Sequence, residues 1–406
     1  MQEPTAPACS DFPEWVLLDT IARIGRCNNA TTAGTVTSTG GHIEVSFEVA
    51  DPPALTRCVV HCPELTPDEE TPTVTGADGA FLLIRVIFPR RSGGCSSFDV
   101  FVYRAGPGNP SLQLLPLPYP IGLPSSSVGV LSCGDHCLVV VPIRRFDADH
   151  LLHYDLRVFS GKTMSWSTKA ARLACNLEEF YRSFVLTKVF AVDGGSLAWV
   201  DLRYGILLCN SLLEDVPELR VIHLPPLMLT NKDKFPISFV GDLPPLDFVR
   251  DVTFRNGSFR FIEMEYPELD CDADDDDTEL SFRWTTTTFR IMVGSEEWEQ
   301  EPLCAVDSAD LSPADSCFPC LFPEIWDCKE NKILNRVMCS DPTLDMYRDD
   351  AVYVIAKTGA RDPNGWVFAV NTKNKELDKV LPFSAERVCF NRSHLQCSFS
   401  KHLRNA

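Results

Sequence analysis

The sequence predicts an all-β protein, a β-propeller of about six blades built from antiparallel four-stranded meanders, and three observations carry that prediction. In residues 190–226, FAVDGGSLAWVDLRYGILLCNSLLEDVPELRVIHLPP, four short apolar runs are separated by Asp193-Gly194-Gly195-Ser196, Arg203-Tyr204-Gly205 and Glu214-Asp215-Val216-Pro217. Each break holds residues that favour turns or tolerate positive φ, so the stretch reads as one complete meander, the unit of a propeller blade. Units of this kind recur at roughly 40 to 50 residues, the spacing of radial repeats. Helical periodicity is nearly absent, residues 176–184 being the one short helix predicted in the N-terminal half.

In chain order, residues 14–19 open the ordered region, and residues 42–49 alternate polar with apolar side chains, the period of a half-buried strand. Asp51-Pro52-Pro53 stops that strand, residues 55–62 form the next, and residues 63–72 are a proline-rich acidic loop. Residues 80–88, 98–104 and 112–117 make a three-strand run, and residues 128–131, 137–143, 151–159 and 164–168 a second. In the latter the turn Ser160-Gly161-Lys162 precedes Trp166, an aromatic expected to pack between neighbouring sheets. Beyond the opening meander, residues 249–254 and 259–264 flank Arg255-Asn256-Gly257-Ser258, whose Asn-Gly pair is a strong hairpin signal. Residues 280–293 are read as strands around Arg283-Trp284, with Trp298 just beyond. Residues 302–339, interrupted by Cys317, Pro319, Cys320, Pro323 and Cys328, show no regular period. The last unit comprises residues 351–357, 366–370 and 377–383. It is one strand short, and the candidates at 15–18 and 43–49 precede the first full run, so the N- and C-terminal strands are predicted to share a sheet and close the ring.

The 406 residues are 45% hydrophobic and 23% charged, ordinary values for a folded chain. We expect a single domain over residues 14–400, a disordered N-terminus at 1–13, and an acidic loop insertion at about 265–279. No apolar run reaches the ~18 residues of a membrane span, and residues 1–19 carry acids and prolines instead of a secretory signal's basic start and apolar centre. A soluble, intracellular monomer, cytoplasmic or nuclear, is therefore expected. The net charge is −19, and residues 263–279 hold ten acidic side chains and no basic one. That balance argues against nucleic acid or anionic membrane as partners, because both are held mainly by lysine and arginine.

Four segments carry a family resemblance. GGSLAWVDLRYGILLCNSL at 194–212, RDVTFRNGSFRFIEM at 250–264, CVVHCPEL at 58–65 and DDAVYVIAKTGARDPNGWVFAVNTKNKEL at 349–377 resemble a large plant family, expanded in grasses, known as the domain of unknown function 1618 family. The likeness runs from Trp15 to Lys401 and implies a relative without an established molecular activity. The chain is similar, more distantly, to the propeller domains that follow F-boxes in plant ubiquitin-ligase adaptors. The roughly 14 residues before Trp15 hold no F-box helix set, so an adaptor role is not expected.

The 17 cysteines, odd in number and spread from Cys9 to Cys397, do not suit a disulfide scaffold. Most are read as reduced, unligated thiols that pack as small hydrophobes, Cys209 and Cys389 among them. Cys58-x-x-His61-Cys62 and Cys133-x-x-His136-Cys137 repeat zinc-ligand types at one spacing, but positions four apart on a strand lie too far from each other for easy chelation. Cys317-Phe318-Pro319-Cys320 with Cys328 has better knuckle spacing and lacks a matching second pair; metal or loop thiols are both open there. The run from Asp270 to Asp277 places carboxylates at alternating positions, yet Asp275 stands where a calcium loop needs glycine and Ser281 where it needs glutamate. Ser196 follows a Gly-Gly pair as in a nucleophile elbow, but a strand follows it where an elbow requires a helix. His153 reads as a strand residue, and no histidine pairs with a nucleophile. Sequons stand at Asn29, Asn256 and Asn391. No catalytic residue, cofactor site or metal site is assigned. The favoured reading is a non-catalytic module whose propeller loops bind a protein partner; the alternative is an enzyme or small-ligand binder with its site at a central channel.

Overall fold

The computed structural model describes residues 12–65, 71–88, 97–116, 128–146, 152–173, 186–193, 195–234, 246–267, 282–359, 362–384 and 394–404. Among them, regular structure is almost wholly strand, with one short α-helix and several 3-10 turns. Residues 1–11, most of the acidic insertion, the predicted helix at 176–184, Cys389 and Asn391 lie outside the described residues. Within the expected span of 14–400, the chain divides into two compact units. The first comprises residues 1–201, 206–222 and 393–406, the second residues 202–205 and 223–392.

The first unit opens with β1 (Val16–Asp19), β2 (Arg23–Ile24), β3 (Ala33–Val36), β4 (His42–Glu48) and β5 (Leu55–His61). β3, β4 and β5 are antiparallel neighbours, β1 runs parallel to β5, and the strand His394–Cys397 lies antiparallel to β1. Val16 pairs with Cys397 and Asp19 with His394, so the two ends of the chain do share a sheet. The predicted partner is corrected, however. Residues 351–383 sit in another sheet, where their missing neighbour is Met338–Leu344. That strand carries Cys339, Pro342 and a register shift, which erased its period from the sequence.

β6 (Thr73–Asp78), β7 (Phe81–Phe88), β8 (Ser97–Arg104) and β9 (Ser111–Leu114) form an antiparallel meander. β6 is invisible to periodicity, since TVTGAD offers a single large apolar residue. Tyr103 of β8 meets Phe47 of β4 edge-on at 4.9 Å, Phe399 lies 4.7 Å from Phe47, and the Tyr103 hydroxyl donates to the Thr31 carbonyl at 2.7 Å. Rings this deeply buried contribute about 1.5 to 3 kcal/mol each.

β10 (Gly129–Cys133), β11 (His136–Phe146), β12 (Leu152–Ser160) and β13 (Ser165–Leu173) make a second meander, and β14 (Lys188–Val192), β15 (Ser196–Asp201), β16 (Gly205–Asn210) and β17 (Glu218–His223) a third. β13 and β17 pair in parallel at Arg172–Glu218 and Leu173–Leu219, which joins the two into one eight-stranded sheet. Trp166 packs on Phe159 at 5.5 Å, in a cluster with Phe81 and Leu83 of β7, between neighbouring sheets as predicted. Every residue of β15 is buried. An antiparallel strand covered on both faces reads as a continuous apolar run instead of an alternation.

The second unit holds α1 (Leu229–Lys234), β18 (Arg250–Arg255), β19 (Ser258–Glu265), β20 (Thr285–Met292), β21 (Glu299–Gln300) and β22 (Val306–Asp307). β18 and β19 are the predicted hairpin; Asn256 and Gly257 take φ of 50° and 75°, the two positive values of a type I′ turn. Arg283 and Trp284, predicted inside a strand, precede β20 instead. The Trp284 backbone is held by Ser308, whose amide donates to its carbonyl at 2.9 Å and whose Oγ accepts its amide at 3.0 Å. β23 (Ser312–Pro313), β24 (Trp326–Asp327), β25 (Lys332–Ile333), β26 (Met338–Leu344), β27 (Ala351–Lys357), β28 (Asn364–Asn371) and β29 (Glu376–Ser384) complete the unit. β26 to β29 form a four-stranded meander, with β23 parallel to β29 and β24 paired with β25.

Candidate interaction surface

The motifs singled out in the sequence resolve into structural parts. Cys58, His61 and Cys62 fall on or just past β5, and pleating sends His61 to the face opposite Cys58. His61 Nε2 lies 3.0 Å from Arg26 Nη2, while Cys58 is fully buried. Cys133 and His136 are cross-strand partners about the Gly134-Asp135 turn, with His136 Nδ1 2.9 Å from Asp135 Oδ1. Burial pushes the Cys137 thiol up to about 12 and Cys209 equally far, so both stay protonated at neutral pH. Among the described residues, no three His, Cys, Asp or Glu side chains are placed to hold a metal ion.

Ser196 begins β15 opposite Val192, in a hairpin where an elbow would need a helix to follow. His153 is exposed on β12 opposite Arg145. Asn29 is occupied by the fold: its Oδ1 accepts from the Thr31 amide at 2.8 Å, and its Nδ2 donates to the Phe47 carbonyl at 3.0 Å. Asn256 is the hairpin residue already described.

Sequence reasoning missed a buried ion pair in the second unit. Arg250 and Glu263 face each other across β18 and β19, neither side chain exposed, with Nη2 and Nε 2.6 and 3.0 Å from Oε2. Arg250 Nη1 donates to the Leu202 carbonyl at 2.9 Å, and Glu263 Oε1 accepts from the Met228 amide at 3.0 Å and Asn231 Nδ2 at 2.8 Å. The pair ties α1 and the turn at Leu202 to the hairpin. It has no lone pair free for chemistry.

The segment without a period, 302–339, holds the most conspicuous surface feature. Cys320 and Cys328 are disulfide-bonded, their Cα atoms 5.6 Å apart. The expectation of reduced cysteines fails for this pair, because the turn at residues 322–326 folds the chain back and brings the two into reach. Inside the covalent loop Ile325 and Trp326 are buried, at 0% and 2% exposure. Phe318, two residues before the loop, and Leu321, its first residue, stand in water, at 67% and 74%. The Leu321 amide donates to the Phe318 carbonyl at 3.1 Å, the i to i+3 bond of a 3-10 turn. The fold thus buries Ile325 and Trp326 of this segment and leaves Phe318 and Leu321 exposed.

Together these observations define an all-β protein of several antiparallel meanders, with an apolar pair displayed on a cross-linked loop. Residues 199–353, from β15 to β27, match the model of a family described as a protein of unknown function, DUF1618, the family resembled in the sequence. No curated protein matches the chain. Among solved structures, a mannose phosphorylase from Leishmania mexicana is similar over 86% of this chain and 86% of its own, at 10% identity and a TM-score of 0.23. A GH32 β-fructofuranosidase from Bombyx mori is similar over 94% and 90%, at 12% identity and a TM-score of 0.27. Likenesses this distant say nothing about activity.

Proposed function

We propose that the chain is a non-catalytic protein-interaction module, a propeller of about six blades forming one domain over residues 14–400, whose loops present a surface to a protein partner. The four-stranded meanders β6–β9, β10–β13, β14–β17 and β26–β29 support the propeller reading. The observation that carries the interaction reading is the Phe318–Leu321 pair, because exposed aromatic and aliphatic side chains held rigid by a cross-link lose little entropy when a partner covers them. The module works as an intracellular monomer with neither nucleic acid nor membrane as its target. No described helix is long and apolar enough to cross a membrane.

The test uses the wild-type chain and the double variant Phe318→Glu/Leu321→Glu as baits in native extract. Both are expected to melt at the same temperature, since neither side chain contributes to a core. Proteins retained by wild type and lost by the variant support the reading; an unchanged set of retained proteins overturns it.

A further inference from the structure

The β18–β19–β20 sheet carries arginines on both faces, and the two faces are balanced differently. On one face Arg250 is matched by Glu263. On the other, Arg260 of β19 stands directly opposite Arg290 of β20, and Arg255 of β18 lies on the diagonal from Arg260. Like charges on facing strands repel, so this row requires counter-charge. Two carboxylates supply it. Glu301 spans the pair, its Oε2 3.0 Å from Arg260 Nε and its Oε1 2.9 Å from Arg290 Nε. Asp349 places a single oxygen, Oδ1, 3.2 Å from Arg255 Nη1, 3.8 Å from Arg290 Nη2 and 3.9 Å from Arg260 Nη1.

Among the described residues, three guanidiniums therefore meet two carboxylates within 4 Å, and Glu299 of β21 stands opposite Arg290 across the sheet. The geometry around Asp349 is also incomplete. One oxygen sits at the focus of three cationic forks and lies within hydrogen-bond distance of only one of them. Arg260 is 2% exposed, and its buried Nη1 makes no hydrogen bond. Leaving a charged donor unsatisfied is destabilising, and it persists here beside an acceptor that is half in solvent, the Asp349 side chain being 50% exposed. Arg255 and Arg290 are 29% and 35% exposed, so the focus is reachable from water.

We propose that Arg255, Arg260 and Arg290 form a binding site for a phosphomonoester group, with Asp349 as an internal competitor occupying its place. A phosphoryl group carries three terminal oxygens, one for each guanidinium, and about two negative charges where Asp349 has one. It satisfies the Arg260 donor that Asp349 cannot reach, and arginine's planar fork suits it better than lysine would. Asp349, on an exposed turn before β27, swings out as the phosphate enters. The inference goes beyond the interaction reading and does not depend on Phe318 or Leu321.

The experiment is isothermal titration of the purified full chain with inorganic phosphate and with phosphoserine, at low ionic strength. The wild type is expected to bind both, with phosphoserine as the tighter if the natural source is an ester and inorganic phosphate as the tighter if it is the free ion. Asp349→Asn removes the competing charge and should tighten binding roughly tenfold, the scale of one charge-assisted hydrogen bond. Arg255→Gln and Arg290→Gln, partly exposed positions, should each weaken it at least about tenfold with the ligand-free melting temperature unchanged. Binding of neither probe by wild type and D349N, or binding indifferent to R255Q, R290Q and D349N, overturns the proposal. Variants that melt early are replaced by Arg255→Lys, which keeps the charge and should bind more weakly than wild type but more tightly than R255Q.

Discussion

Arg250 and Glu263 occupy facing positions of one hairpin with no exposure, and each of the five donors and acceptors described around them has a partner. Burial pulls Arg250 below its ordinary pKa while Glu263 opposes the shift. Breaking such a pair from one side leaves an uncompensated buried charge, so Glu263→Gln should destabilise the fold by about 3 to 5 kcal/mol. Arg250→Met added to it removes that charge while the glutamine still accepts from Met228 and Asn231, and chemical denaturation should show at least half the loss restored. A double variant no more stable than the single one would show that the pair contributes packing and not charge balance. Buried thiols make a second residue-scale prediction. Burial pushes Cys137, Cys209, Cys339 and Cys397 from 9.0 up to about 12. Between those values the unfolded chain releases protons that the folded chain keeps. Their stabilisation is thus complete below pH 9 and is lost as the pH rises toward 12, at about 1.4 kcal/mol per thiol per pH unit. Tyr103 and Tyr353, also raised by burial, act in the same direction. Melting temperature measured from pH 8 to 11 should be flat and then fall, and more gently in Cys209→Ala; a flat profile throughout contradicts the assignment.

At the scale of elements, the covalent loop from Cys320 to Cys328 is the part least legible in the sequence. β24 inside it and β25 just beyond Cys328 are two residues each, too short for any period, and the loop's order comes from the disulfide and from Trp326, whose burial depends on the chain turning back on itself. Alkylation followed by proteolysis of the unreduced protein should yield a peptide joining Cys320 to Cys328 that a reductant splits; recovery of both as alkylated thiols without reduction refutes the bond. Where strands were long and their turns carried Asn-Gly or Gly-Gly, as at β14–β15 and β18–β19, the residues announced the hairpin directly, because those turns need positive φ. β26 was hidden by its bulge and β6 by its small and polar side chains. The arginine row could not be read at all: Arg255, Arg260 and Arg290 converge only once the register of three strands is known, and linear spacing gives no sign that 260 faces 290. Phe318 and Leu321 were likewise in plain view as apolar letters, but only the structure tells which apolar residues stay outside.

Within the first unit as a whole, the sheet that begins at Val16 is finished by the last strand of the chain. His394–Cys397 covers the open side of β1, Phe399 and Leu403 enter the core at 0% and 2% exposure, and Arg404 Nε donates to the Phe12 carbonyl at 2.5 Å. Deleting residues 393–406 removes one aromatic and one aliphatic side chain from that core, each worth about 2 to 5 kcal/mol when lost, and leaves β1 unpaired on one side. The truncated chain should be insoluble or readily proteolysed within residues 16–61. Full solubility with an unchanged melting transition would make the C-terminal strand an accessory.

That terminal strand also sets an order in time. A ribosome delivers the partner of β1 nearly 380 residues after β1 itself, so the sheet built on β1, β4 and β5 waits through that stretch of synthesis with one edge bare. Nascent chains stalled at residue 392 should be cut by added protease within residues 16–61, and released full-length chains should resist it. A sheet begun at β1 is in this way completed only once residues 394–397 are made, and a chain that loses residues 393–406 fails around β1.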